Sequence, residues 1–115
     1  MGKYQDKLTG GKGADTFYFG YTDQSGVGLK LRDIITDFKG SKEKDRIDLS
    51  EIDAFTGKAG IQQFTFISDK KFTGKQGEVR FSGGILQMNT GTDKIADMEI
   101  ALTGVTSFSK DFLIL

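Results

Sequence analysis

The chain contains neither cysteine nor histidine. That excludes a disulfide framework, a thiolate metal site, Ser-His and Cys-His nucleophiles and the usual zinc sites. Proline and tryptophan are absent too. No apolar run approaches the roughly 18 residues of a membrane-spanning helix, so no membrane span is expected. Met1-Gly2-Lys3-Tyr4 lacks the apolar stretch of a cleaved secretory signal. Charge of one sign is not in excess either: 16 Lys plus Arg balance 16 Asp plus Glu, and no nucleic-acid partner is implied.

Glycine and phenylalanine are plentiful, at 16 and 10 in 115 residues. Hydrophobic residues make up 37% and charged ones 28%, ordinary for one globular domain with a modest core. Aromatics with so much glycine point to many short strands separated by turns.

One stretch organises the rest. Gly10-Gly11-Lys12-Gly13-Ala14-Asp15-Thr16-Phe17-Tyr18 fits the nonapeptide G-G-x-G-x-D-x-U-x, U being a large apolar residue. The glycines turn the chain where positive φ is needed. The Asp offers oxygen to a hard cation such as calcium. Stacked copies of the unit build a parallel β-roll with calcium between the turns. At nine-residue spacing the acidic phase runs Asp6, Asp15, Gln24, Asp33 and the apolar phase runs Leu8, Phe17, Gly26, Ile35. A plain Gly/Asp hairpin loop is the simpler alternative, but it does not account for a period kept over four units. Because the array starts in mid-phase, the chain is expected to be cut from a longer protein.

In a roll, two nonapeptides make one coil, so Asp15 and Asp33, 18 residues apart, are expected to stack on one edge. Their carboxylates and the carbonyls of Gly11 and Gly13 would form an oxygen shell. Asp6 and Gln24 would make a weaker site on the other edge. The carbonyls of Gly10 and Lys12 would face a turn upstream of Met1, in a longer parent.

Further on, strands are expected at 16–19, 34–38, 46–49, 63–67, 78–81, 85–89, 98–102 and 112–115. Ser50 is expected to cap a helical turn over 50–55. Ser82-Gly83-Gly84 signals a hairpin. Asn89 to Glu99 faintly resembles an EF-hand loop, but lacks its central Gly and final Glu, and a plain hairpin explains it better. Carboxylate pairs occur at Asp33/Asp37, Asp45/Asp48 and Asp93/Asp97, with no cleft in sight for glycosidase chemistry. Phe64, Phe66, Phe72 and Phe81 could stack on sugar, although core positions are the commoner use. The fold class expected is all-β: a short calcium-binding parallel β-roll (1–36) continuing into an antiparallel β-sandwich (37–115).

Residues 8–55, with Leu8-Thr9-Gly10-Gly11-Lys12-Gly13-Ala14-Asp15-Thr16-Phe17, Arg32-Asp33-Ile34-Ile35-Thr36-Asp37-Phe38 and Asp45-Arg46-Ile47-Asp48-Leu49-Ser50, resemble the C-terminal domain of serralysin metalloproteases, a type shared by many RTX calcium-binding proteins. Ala96 to Gly104 and the ending Asp111-Phe112-Leu113-Ile114-Leu115 fit as well. The resemblance implies a non-catalytic, calcium-binding module at the end of a larger secreted bacterial protein, with an enzyme such as a protease, lipase or epimerase as its covalently linked upstream partner. It implies export by a type I ABC transporter to the extracellular space, which also suits a cysteine-free chain. It implies ligands at Gly11, Gly13, Asp15 and Asp33. The family's intermediate acidic ligand falls on Gln24, with Asp23 beside it. Asp111 through Leu115 would belong to the uncleaved secretion signal. The alternative is a polysaccharide- or surface-binding accessory module of a secreted enzyme or adhesin.

Overall fold

A computed structural model of the chain describes residues 7–20, 27–28, 32–40, 42–54, 62–92 and 94–115. Nine strands are described: β1 Lys7–Leu8, β2 Thr16–Tyr18, β3 Asp33–Ile35, β4 Arg46–Asp48, β5 Thr65–Phe66, β6 Glu78–Ser82, β7 Ile85–Asn89, β8 Met98–Leu102 and β9 Leu113–Ile114. They form a six-stranded sheet in the order β1-β3-β8-β7-β6-β5 and a three-stranded sheet in the order β2-β4-β9. The all-β expectation holds.

The N-terminal half is a parallel coil. β1 pairs parallel with β3 in one sheet, and β2 pairs parallel with β4 in the other. The chain thus alternates between sheets, as a roll requires. Parallel pairing also reaches into the C-terminal half: β8 lies beside β3, β9 beside β4, and β5 beside β6. Only β6-β7-β8 is an antiparallel meander, so the C-terminal half mixes both senses instead of being purely antiparallel. The β6–β7 hairpin turns through Gly83 and Gly84, both at positive φ (59° and 80°), with Ser82 opposite Ile85. Paired positive φ gives the turn whose twist matches flanking strands.

The two sheets share one core. Phe17, Ile47 and Leu113 enter it from the three-stranded sheet; Ile35, Val79, Phe81, Leu86, Met88, Ile100 and Leu102 enter from the six-stranded one. Phe108 stacks on Phe38 and Phe81, with ring centroids 5.8 and 5.1 Å apart, and meets Phe112 edge-on at 5.2 Å. Phe64 and Phe81 are core residues, and Phe66 packs against the core.

Local chemistry adjusts several ends. After β4 the chain makes a turn, closed by the Ile52 N–H donating to the Leu49 carbonyl, and no helix forms over the described part of 50–55. Asp48, not Ser50, supplies the acceptor there: its Oδ1 takes both the Ser50 N–H and hydroxyl. Phe55 lies outside the described residues. The last strand is shortened because Lys110–Phe112 form a 3-10 turn, capped by the Ser109 hydroxyl accepting from the Asp111 N–H.

Candidate metal-binding turn pair

Because β1 lies on β3 and β2 on β4, the turn 9–15 stacks on the turn 36–45. Hydrogen bonds cross between them in sequence order. Thr9 and Thr36 share a hydroxyl contact of 2.6 Å. Gly10 and Gly11 N–H donate to the two oxygens of Asp37, at 2.9 and 2.8 Å. Gly13 N–H donates to Glu43 Oε1 at 3.0 Å. Asp15 N–H donates to Asp45 Oδ1 at 2.9 Å, and Arg46 N–H returns to the Asp15 carbonyl at 2.8 Å. The other Asp45 oxygen takes the Lys39 N–H at 3.0 Å.

The glycines make this close contact possible. Gly11 and Gly13 hold φ of 81° and 88°, which side-chain-bearing residues resist. At Gly10 the constraint is space: a Cβ there would lie 2.5 Å from Asp15 Oδ2. So the Asp15 carboxylate folds back over its own turn.

Four carboxylates are therefore spread along one pair of turns: Asp15, Asp37, Glu43 and Asp45. The nearest compensation is weak, with the Lys39 ammonium 4.0 Å from Glu43. Burial first, then the charges of Asp45, Asp37 and Glu43, pushes the Asp15 carboxyl above the ordinary range. Its Oδ2 is buried and accepts no hydrogen bond among the described residues. Asp37 goes the other way: the Gly10 and Gly11 amides hold it below the usual value, against the effect of burial. Hydrogen bonding at Asp37, and burial with repulsion at Asp15, thus split two neighbouring carboxyls.

The sequence-predicted ligands fall into three groups. Gly10, Gly11, Lys12, Gly13 and Asp15 sit together on the first turn. Asp33 is fully buried, but it opens β3 in the six-stranded sheet, level with Ile100. Asp15 instead leads into β2, and the residue after it, Thr16, aligns with Arg46. The expected stacking of Asp15 on Asp33 is not the register found. The long segment between Tyr18 and Asp33 delays the next copy of the turn to 36–45. Asp6, Asp23 and Gln24 lie outside the described residues. Periodicity missed Asp37, Glu43 and Asp45; the available signal was Leu8-Thr9 matching Ile35-Thr36 at the start of both turns.

A cation is a chemically fitting occupant of this turn pair. It would relieve the repulsion on Asp15 and satisfy its buried oxygen. Among the described residues, no three acidic, Cys or His side chains gather as a metal-holding group. Calcium accepts backbone carbonyls as readily as carboxylates, so the turn's own carbonyls would make up the shell. The second candidate loop is a plain hairpin connection: Asp97 Oδ2 takes the Thr90 N–H at 2.9 Å, and Asn89 Oδ1 takes the Gly91 N–H at 3.0 Å.

A parallel coil with a Gly-rich acidic turn pair, running into a mixed sheet, defines a roll-type β module. The sequence model described as "peptidase M10 serralysin C terminal" matches residues 1–114, and the chain belongs to that family. Comparison with curated proteins finds no match. Serralysin C-terminal domains are non-catalytic modules of secreted proteins and generally bind calcium. No helix among the described residues is long and apolar enough to cross a membrane.

Proposed function

We propose that this chain is the calcium-dependent folding module of a larger secreted protein, exported unfolded by a type I ABC transporter. The observation that carries this reading is the Asp15 carboxyl: buried at Oδ2, without a hydrogen-bond partner there, and repelled by three neighbouring carboxylates. At cytosolic calcium that repulsion opposes closure of the turn pair. Outside the cell, calcium would supply positive charge between the turns, and its binding energy adds to folding energy because the unfolded chain has no such site.

The residues proposed to hold the ion are Asp15 with the carbonyls of Gly11 and Gly13. Asp37, Glu43 and Asp45 supply the surrounding field. Asp33, Gln24 and Asp23 remain proposed ligands by family pattern, and Asp6, Gly10 and Lys12 by the phase of the repeat. Asp111 through Leu115 is the proposed secretion signal, read while unfolded and covered once folded. The upstream domain of the parent carries any catalysis.

Isothermal titration tests the assignment. Asp15→Ala should lose at least about tenfold in calcium affinity, equivalent to about 1.4 kcal/mol, while Asp6→Ala should lose less. Equal losses would remove this turn from the site.

A further inference from the structure

We propose that the recess lined by Lys71, Phe72, Arg80, Gln87, Lys94 and Ala96 binds an acidic polysaccharide, taking a sugar ring that carries a carboxylate or sulfate. The recess has a volume of about 500 Å³, within the roughly 300–1,000 Å³ common to small-ligand clefts. Among the described residues, its lining holds three cationic side chains and no carboxylate. In a chain of zero net charge, that is a local concentration of one sign.

Among the described residues, no carboxylate pairs with the Arg80 guanidinium. Arg80 Nε donates to the Lys70 carbonyl at 2.8 Å and Nη2 to the Asp69 carbonyl at 3.3 Å, while Nη1 donates to Gln87 Oε1. All three acceptors are uncharged, and Arg80 has no ion pair among the described residues. Glu99, across the strands from it, is engaged elsewhere: its Oε1 pairs with Arg32 at 3.1 Å and takes the Gly28 N–H, and its Oε2 takes the Gln87 amide at 2.6 Å. These bonds hold the guanidinium in one orientation before a ligand arrives. Three of its five N–H groups are used in this way, and the two that remain are held in place to meet a carboxylate or sulfate.

The aromatic wall supplies the second half of the site. Of the four rings that could meet a sugar, Phe64 and Phe81 are core and Phe66 packs on it; Phe72 stands outside that cluster, half-buried. The Arg80 guanidinium carbon lies 5.9 Å from the Phe72 ring centroid. A flat apolar face beside a fixed cation suits a ligand with an apolar C–H face and an anionic edge, which a charged sugar has. Lys71 and Lys94 are exposed and reach further on flexible stems. They suit the repeated charges of a polymer rather than a single small anion.

The test uses the folded chain, in excess calcium and again in EGTA, so that it does not depend on the calcium reading. The probes are trigalacturonate, a sulfated trisaccharide, neutral maltotriose, inorganic sulfate and phosphatidylglycerol vesicles. One or both acidic trisaccharides should bind, at least about tenfold tighter than maltotriose, and more weakly as salt rises. Sulfate alone should bind at least about tenfold more weakly than the sulfated sugar, because it offers nothing to Phe72. Arg80→Met should lose about tenfold. The double variant Lys71→Gln/Lys94→Gln, exposed and thus harmless to folding, should lose several-fold with an unchanged melting temperature. Equal binding of maltotriose, undiminished binding by both variants, or no binding of either acidic trisaccharide would overturn the proposal. Vesicle binding that both variants abolish, with no trisaccharide bound, would overturn it in favour of a lipid headgroup.

Discussion

Asp15 and Asp37 sit on facing turns and carry the same chemical group, yet they respond to acid in opposite directions. Asp37 receives two amide donors and is held low. Its stabilising contribution is full at neutral pH and fades as pH falls through that lowered value. Asp15 is raised, by burial first and then by three like charges. An acid whose pKa rises on folding binds its proton more tightly in the folded state. Its ionised form therefore weakens the fold at neutral pH, and the penalty disappears as pH falls through the raised value. Asp15→Asn should accordingly melt higher than wild type in EGTA at neutral pH, and the gap should close on acidification. In saturating calcium the order should reverse, since the amide brings no charge to the ion. Scanning calorimetry across pH, with and without calcium, checks both halves.

Among the elements, the chain's end and the candidate turn are in contact. Phe112 lies flat over Gly40, where a Cβ would come within 2.7 Å of the ring. The Arg46 guanidinium carbon is 5.9 Å from the centre of the same ring. β9 extends the contact by pairing with β4, and the Leu49 N–H donates to the Ile114 carbonyl. Gly40 lies in the turn that carries Asp37, Glu43 and Asp45. Phe112→Ala should therefore weaken calcium binding several-fold, although it removes no oxygen ligand, and should cost about 2 kcal/mol of stability, as the ring is only half-buried. Titration calorimetry and urea unfolding separate these effects. Deleting residues 112–115 should both reduce export through a matching type I transporter and loosen the candidate turn. Export at the full-length rate would leave the segment with a structural role alone. Ile47, fully buried between β2 and β9, sets a reference for ordinary core loss. Ile47→Ala should cost about 3 kcal/mol and lower the melting temperature by roughly 12 °C.

How much of this was legible follows from element length. β7 and β8 are five residues each, and their bounds read directly from sequence. The Gly83-Gly84 turn was equally plain. Strands of two or three residues, such as β1, β5 and β9, carry too little pattern to declare a partner or its direction. Their parallel pairing is fixed by what lies between them. The length of the Gly20–Arg32 connection decides which turn stacks on which, and a strict nine-residue count could not weigh it. For that reason Asp15 was legible as a residue of the candidate turn, whereas Asp37, Glu43 and Asp45 on the turn stacked against it were not.

At the scale of the whole molecule, the parallel coil and the meander share one hydrophobic cluster. The core holds the two sheets together. Across the turn pair the amide bonds to Asp37 favour closure and the buried charge of Asp15 opposes it, and on the proposed function calcium would remove that opposition. A ligand bound only by the folded state adds about 2.7 kcal/mol at one hundred times its dissociation constant, or roughly 10 °C in a domain of this size. Magnesium should do far less, since it keeps its waters and demands strict octahedral geometry. The most direct test is the thermal unfolding of the wild-type chain in EGTA, in excess magnesium and in excess calcium, followed by circular dichroism. The account predicts a melting temperature raised by calcium by roughly 10 °C or more and little changed by magnesium. Superimposable curves in calcium and EGTA would contradict it.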